Sequence, residues 1–399
     1  MADKKRIAFV NQRYGEDVLG GSETYTRETA EALAKRDDLE VEVLTSKARD
    51  FKTWANYYEN DAEEINGVTV RRYKTDKNRN RLVQRSLQIL RNVFCISSIG
   101  LEEKRLKARG PYTPDLVEYI KEHKDEYDAF IFVTYMYYPT YFGAKEVYDK
   151  AFFVPTAHNE EPIYMEIYKE LFNNVKGIIY LTEEEKKFVN RQFKNSEVPS
   201  IVNGMGIRIP TTDDNSLEAL KNDEKFPDKY IIFCGRIEEN KGCKMLTDHV
   251  IRYNNDNEER IGLVLTGKSS MTIPEDENIK YLGFVSDEDK FKAMKGSFAI
   301  CVPSAYESFS ITLLEGMGCG KPALVNAKSE VLKGHIERSG AGEAFETYEE
   351  FEKGVRKLLN EDINRELGSR AKQYVEDNYS PEHAAEAFAG FIKENIKEK

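Results

Sequence analysis

The chain has 399 residues, of which 32% are charged and 40% apolar, the composition of a globular protein in water with room for two ordinary domains. A net charge of −11 and a pI near 5.3 argue against general nucleic-acid binding. No stretch approaches the ~18 apolar residues that span a membrane, and the five cysteines have no C-x-x-C spacing, so reduced thiols in a cytoplasm are expected.

Residues 6–11 read as a strand, because the apolar run from Ile7 to Val10 is too short for a signal peptide. A loop with Gly15, Gly20 and Gly21 leads into a helix over 23–35, with Ala30, Leu33 and Ala34 on one face. Further strands are expected at 41–45, 68–73, 129–134, 151–155, 177–181 and 199–202, and helices at 114–123, 139–148 and 183–192. Strand–helix alternation argues for a parallel sheet covered on both faces.

Residues 71–109 carry twelve Lys/Arg against three acids, a local charge of +9 in an acidic chain. Within them Val83, Leu87, Leu90 and Phe94 fall on one helical face, with Arg81, Arg85 and Arg91 beside it. Such a helix fits an anionic membrane surface, an anionic soluble acceptor, or a place against the core with its basic side in water.

The polar segment 211–228 reads as an interdomain linker, and the scheme then restarts. Strands are expected at 229–234, 261–266, 279–284, 298–302 and 323–326, and a helix at 244–253. Asp287-Glu-Asp289 resembles a metal-binding D-x-D string, but behind Ser286 it is better explained as the capped start of a helix through Met294. A last helix is expected over 381–393.

The densest chemistry lies at 303–322. A strand ends in Pro303-Ser304, then Glu307-Ser-Phe-Ser-Ile-Thr-Leu-Leu-Glu315 leads into Gly316-Met-Gly-Cys-Gly-Lys-Pro322. A helix start offers unpaired N–H groups and partial positive charge, which suits a phosphate. Glu307 precedes that start and Glu315 lies about 12 Å further on if the stretch is helical. Two acceptors of hydroxyl hydrogen bonds thus flank an anion site, as a nucleotide sugar requires.

This segment resembles the E-x7-E signature of retaining GT-B glycosyltransferases of the family 4 group. Other matches come in the family's order along nearly the whole chain: Gly20-Gly21-Ser-Glu23, Ala157-His158-Asn159, Asn203-Gly204, and Gly235-Arg236 followed by Lys241-Gly242. The resemblance implies two Rossmann-like domains facing a cleft. These would be an acceptor-side domain at 1–210, joined by the C-terminal helix within 381–399, and a donor domain at 211–380.

It further implies that Arg236 and Lys241 hold the donor diphosphate and Glu315 the ribose. Glu307 and His158 would lie by the hexose. Gly20, Gly21, Ser308, Phe309, Ser310, Ile311 and Thr312 would approach the donor through their backbone. Many relatives have Gly-Phe-Gly where this chain has Ser308-Phe309-Ser310, which narrows the loop by two small side chains. The implied reaction moves a hexose with retention from a nucleotide diphosphate sugar, UDP-linked first and GDP-mannose second, to a glycan or lipid-linked acceptor. No metal or other cofactor is expected. The protein would be cytoplasmic, with peripheral attachment to the inner face of the cell membrane as a variant. The competing readings are a non-catalytic nucleotide-sugar binder and another GT-B enzyme such as a phosphorylase or epimerase.

Overall fold

The computed structural model describes residues 4–18, 20–77, 79–94, 98–211 and 226–396. Cys95, the Phe94 side chain and residues 212–225 of the expected linker lie outside the described residues. The chain forms two compact units, Met1–Gly206 with Glu382–Lys399, and Ile207–Pro381.

Unit 1 is built on strands β1 (Lys5–Val10), β2 (Leu39–Ser46), β3 (Ala62–Ile65), β4 (Val68–Tyr73), β5 (Ala129–Val133), β6 (Ala151–Val154), β7 (Gly177–Tyr180) and β8 (Ser200–Val202). They pair in the order β3-β4-β2-β1-β5-β6-β7-β8, and every pair is parallel except β3–β4. Strands β5, β6 and β7 are buried along their whole length, and their near-continuous apolar sequence is what a parallel strand covered on both faces needs. The antiparallel edge hairpin β3–β4 is unforeseen in the sequence. Its strand Ala62–Ile65 is half exposed and half acidic, so it lacks an apolar signal.

The C-terminal helix Pro381–Asn395 belongs to unit 1 from Glu382 onward. Phe388 stacks on Phe9 of β1 with centroids 5.8 Å apart, Phe391 meets Phe152 of β6 edge-on at 5.9 Å, and Lys393 pairs with Asp38. Burying two aromatic rings here holds the helix to the sheet, since each removes a large apolar area from water.

Unit 2 is a six-stranded, all-parallel sheet: β9 (Tyr230–Cys234), β10 (Gly262–Thr266), β11 (Ile279–Gly283), β12 (Ala299–Val302), β13 (Ala323–Asn326) and β14 (Gly342–Phe345), in the order β11-β10-β9-β12-β13-β14. Its core gathers Ile231, Leu263, Cys301 and Leu324 from the strands with Leu246, Phe351 and Val355 from the covering helices. The carboxyl ends of β9 and β10 approach closely: a Cβ on Gly267 would lie 1.8 Å from the Gly235 carbonyl oxygen, so only glycine fits there.

The helix Arg81–Phe94 buries its expected apolar face only in part, with Val83 41% exposed. Leu87 and Leu90 are half-buried, and the helix packs against Ile99–Arg109. A second apolar strip faces water instead, with Leu82 80% and Val93 67% exposed beside Val83 and Ile89. The basic run is also less free than its charge of +9 implies. Arg71 pairs with Glu42, Arg72 with Glu63, and Arg91 and Arg105 with Glu161.

Candidate active site

The segment expected to bind an anion has a specific local form. Strand β12 ends at Val302, and the helix Ile311–Gly318 starts after an eight-residue loop, 303–310. Only the later half of the Glu307–Glu315 stretch is therefore helical, so the 12 Å expectation for the two carboxylates rests on a helix that is half loop. Ser310 caps the helix in the left-handed region, at φ 66° and ψ 71°. The first backbone N–H to bond back is that of Leu314, to Ser310 O at 3.3 Å, so the N–H groups of the first turn have no partner inside the helix. The loop is held from below: buried His335 bonds the Phe309 carbonyl through Nε2 (3.2 Å) and the Tyr374 hydroxyl through Nδ1 (3.0 Å).

Lys241 ends a single 3-10 turn, Glu239–Lys241, and Gly242 follows at φ 76°. A Cβ on Gly242 would lie 2.3 Å from the Pro303 carbonyl oxygen, so this glycine lets the lysine turn pack directly on the end of β12. The result is an ion pair, Lys241 Nζ to Glu307 Oε1 at 2.8 Å. The residue expected on the diphosphate thus meets the residue expected on the sugar. Arg236 leaves the end of β9 with an exposed side chain, 3.1 Å from Glu238. Glu315 bonds Lys290 at 2.9 Å, a partner with no motif in the sequence. Ser308, Phe309, Ile311 and Thr312 complete this one locus of unit 2, with Phe309 largely buried.

The Asp287-Glu-Asp289 string opens the helix Asp287–Gly296. Ser286 Oγ accepts from Asp289 N (3.1 Å), and Asp287 and Glu288 pair with Lys290 and Lys292. Among the described residues no group of three His, Cys, Asp or Glu side chains gathers to hold a metal ion.

Gly20, Gly21 and His158 lie in unit 1. Gly20 caps the helix Gly21–Ala34 with extended backbone, and a Cβ there would lie 2.2 Å from a Glu23 carboxylate oxygen. Glu23 is buried against Arg13, with Nη2 and Oε1 2.5 Å apart. His158 sits four residues past the end of β6, in a loop. Its Nε2 is 3.6 Å from Glu160 Oε1, which also accepts from the Tyr135 hydroxyl at 2.8 Å. The loop is anchored by fully buried Glu185, whose carboxylate accepts from Ala157 N (2.5 Å) and Leu181 N (2.7 Å). Burial pushes the Glu185 carboxyl up to about 8, against these two backbone bonds that favour its charged form. Sequence reasoning does not single out His335, Lys290 or Glu185. None sits in a motif, and only the contacts reveal them.

Residues 216–378 match the family described as Glycosyl transferases group 1. This stretch is a group 1 glycosyltransferase domain. It contains Arg236, Lys241, Glu307 and Glu315. The chain has the fold of sucrose-phosphate synthase from Thermosynechococcus elongatus (TM-score 0.70, 14% identity, 98% of this chain and 99% of that one). It also has the fold of HepE from Anabaena, solved with UDP-glucose (TM-score 0.70, 15% identity, 98% and 99%). The architecture is thus GT-B-like, two α/β units with parallel sheets. The chain is 22% identical over 247 residues to the alpha-1,3/1,6-mannosyltransferase ALG2 of Dictyostelium discoideum, covering 54% of this chain and 55% of the relative. It spans about half the length of the curated relatives it matches.

Proposed function

We propose that the protein is a retaining glycosyltransferase that moves a hexose from a nucleotide diphosphate sugar to a hydroxyl of a glycan or lipid-linked acceptor. The observation that carries this reading is the Lys241–Glu307 pair at the open start of the helix Ile311–Gly318, inside the glycosyltransferase domain. A cation, a helix N-terminus and two carboxylates in one locus suit a substrate that is anionic in the middle and rich in hydroxyls at both ends.

In this reading Arg236 and Lys241 meet the charge that grows on the leaving diphosphate, the largest electrostatic demand of the reaction. The first-turn N–H groups of Ile311 and Thr312 share it. Glu315 accepts from the ribose, and Glu307 and His158 orient the hexose. Transfer proceeds on the front face, the departing diphosphate helping to take the acceptor proton, without a divalent ion. A UDP-hexose is the first choice of donor, supported by the UDP-glucose complex of a protein with this fold, and GDP-mannose the second, supported by the mannosyltransferase relative.

Peripheral attachment to an anionic membrane is part of the proposal. The exposed strip Leu82, Val83, Ile89 and Val93, with exposed Arg81 and Arg85 on the same helix, supports it. Among the described residues no helix is long and apolar enough to cross a membrane.

The test is a panel of nucleotide sugars scored for protection against thermal unfolding and for release of the nucleoside diphosphate. One donor is expected to do both, with the product keeping the donor's anomeric configuration. A panel in which none protects and none is cleaved overturns the reading, and protection without cleavage marks a binding protein. Co-sedimentation with anionic against neutral liposomes tests the helix, and Leu82→Glu with Val93→Glu is expected to abolish the anionic preference.

A further inference from the structure

Most arginines near the glycine turn of unit 1 are neutralised by the chain itself: Arg13 by Glu23, Arg49 by Asp17 and Arg72 by Glu63. Arg79 and Arg109 differ. Both are half-buried, and among the described residues neither has a carboxylate within ion-pair distance. Arg79 is fixed in place, its backbone N–H bonding Thr53 O (2.9 Å) and its Nη1 bonding Phe51 O (3.1 Å). Its Nε is buried without an acceptor. Burial lowers the Arg79 pKa, and the charge of Arg109 pushes the same way. A guanidinium stays protonated regardless, so the pair holds positive charge that no carboxylate among the described residues pairs with directly, Asp50 acting on Arg79 through space alone.

Aromatic side chains frame the two. Trp54 donates from Nε1 to the Arg109 carbonyl (2.6 Å) and meets Tyr137 edge-on at 5.6 Å, while Arg13 lies over Phe51 at 5.4 Å. Tyr137, against Trp54, lies within electrostatic reach of both: burial and Glu23 raise its hydroxyl pKa, and Arg109, Arg13 and Arg79 lower it. Residues 11–18 follow the carboxyl end of β1, and Tyr137 follows that of β5. Ligands of open α/β sheets bind outside those strand ends.

We propose that Arg79 and Arg109, with the Tyr137 hydroxyl, form a phosphate-binding subsite, so that the acceptor is a phosphorylated molecule and not a neutral glycan. Two planar donor forks match the geometry of a phosphate, and their charge of about +2 matches the −1.5 to −2 of a phosphomonoester near neutral pH. The word acceptor rests on the glycosyltransferase reading, whereas the subsite does not. The phosphate comes from a soluble ester or from a lipid headgroup, and the two arms of the test separate these.

The soluble arm is calorimetric titration of the full chain with glycerol phosphate against glycerol. The lipid arm is co-sedimentation with phosphatidic acid against phosphatidylcholine vesicles, in a Leu82→Glu, Val93→Glu background that removes the contribution of the exposed helix strip. Each arm uses wild type, Arg79→Met, Arg109→Met and, as a control, exposed Arg365→Met. Thermal unfolding confirms that each is folded, and Arg109→Lys is the milder variant should Arg109→Met fail to fold. Binding at least tenfold weaker in the Arg79 and Arg109 variants, unchanged in the control and absent with glycerol or neutral vesicles, is expected in one arm. Binding in neither arm, or binding indifferent to both arginines, overturns the subsite. UDP affinity is measured on the same samples and is expected to stay constant. A parallel loss would assign the arginines to the donor and overturn the proposal. If wild type binds glycerol phosphate but no nucleotide, the subsite stands and the glycosyltransferase reading fails.

Discussion

Lys290 Nζ lies 2.9 Å from Glu315 Oε1, and both side chains are largely withdrawn from water. Burial alone would lower the lysine pKa, but Glu315 and Asp287 more than offset it and the net effect is upward. Lys290 therefore fixes the Glu315 carboxylate, the group that accepts from the ribose in the proposed site. Lys290→Met is expected to raise the donor KM at least tenfold while kcat at saturating donor falls less, and Lys290→Arg to recover part of the loss. An unchanged KM in a folded Lys290→Met protein would show that Glu315 needs no such partner.

The primary contacts make a stronger demand. Lys241→Ala is expected to cut turnover by about two orders of magnitude with the fold intact, because one charged contact to a developing charge is worth roughly 3 kcal/mol, and Glu315→Ala, which loses a ribose contact, to cut kcat/KM by at least tenfold. Steady-state kinetics with donor varied up to saturation checks this. Near-wild-type turnover for Lys241→Ala, or an unchanged kcat/KM for Glu315→Ala, removes that residue from the site.

The parallel strands are legible in the sequence because they are short, near-continuous apolar runs with a turn residue at each end, as at Ala129–Val133 and Ala323–Asn326. Strands that bury little are not: Ala62–Ile65 is acidic, and Gly342–Phe345 buries only Phe345. The helices Ile99–Arg109 and Ile167–Asn174 also escape a sequence reading, the first because its charges hide a narrow buried stripe. At the candidate site the residue types can be picked out, but their partners cannot. Lys241 and Glu307 lie 66 positions apart, and no local pattern encodes that contact. Glu185 ends a run of three glutamates that reads as a solvated helix start, yet it is fully buried.

Chelation tests how the leaving group is stabilised. If Arg236, Lys241 and the helix start meet its charge, transfer is expected to continue at an undiminished rate in excess EDTA. Complete loss of activity, restored by manganese or magnesium, would show that a divalent ion carries that charge.

Ser310 occupies the left-handed region, at φ 66°, with its Oγ buried and without a partner. Glycine accepts this backbone without the steric cost, which is on the order of 1 kcal/mol for other residues. Ser310→Gly is expected to raise the unfolding temperature by a few degrees. Donor affinity should hold, since backbone N–H groups make the contact in the proposed site. A lower unfolding temperature, or a donor KM raised tenfold, would show that the hydroxyl has a partner when the site is filled.

Glu185 links pH to the stability of unit 1. Its folded pKa of about 8 lies above the usual glutamate value of 4.5, so the native state holds a proton that the unfolded chain releases more readily. The stability that this proton confers is fully present below about pH 4.5 and is lost as pH rises through 8, every tenfold difference in proton affinity between the two states being worth about 1.4 kcal/mol. Unfolding of wild type should therefore become easier across that window, beyond the drift from other groups. Glu185→Gln cannot ionise, and it is expected to flatten the slope even though its amide satisfies only one of the Ala157 and Leu181 N–H groups. Chemical denaturation at several pH values across that window reads the slope directly. Parallel wild-type and Glu185→Gln curves would mean that the two backbone bonds keep the carboxylate charged in the folded protein.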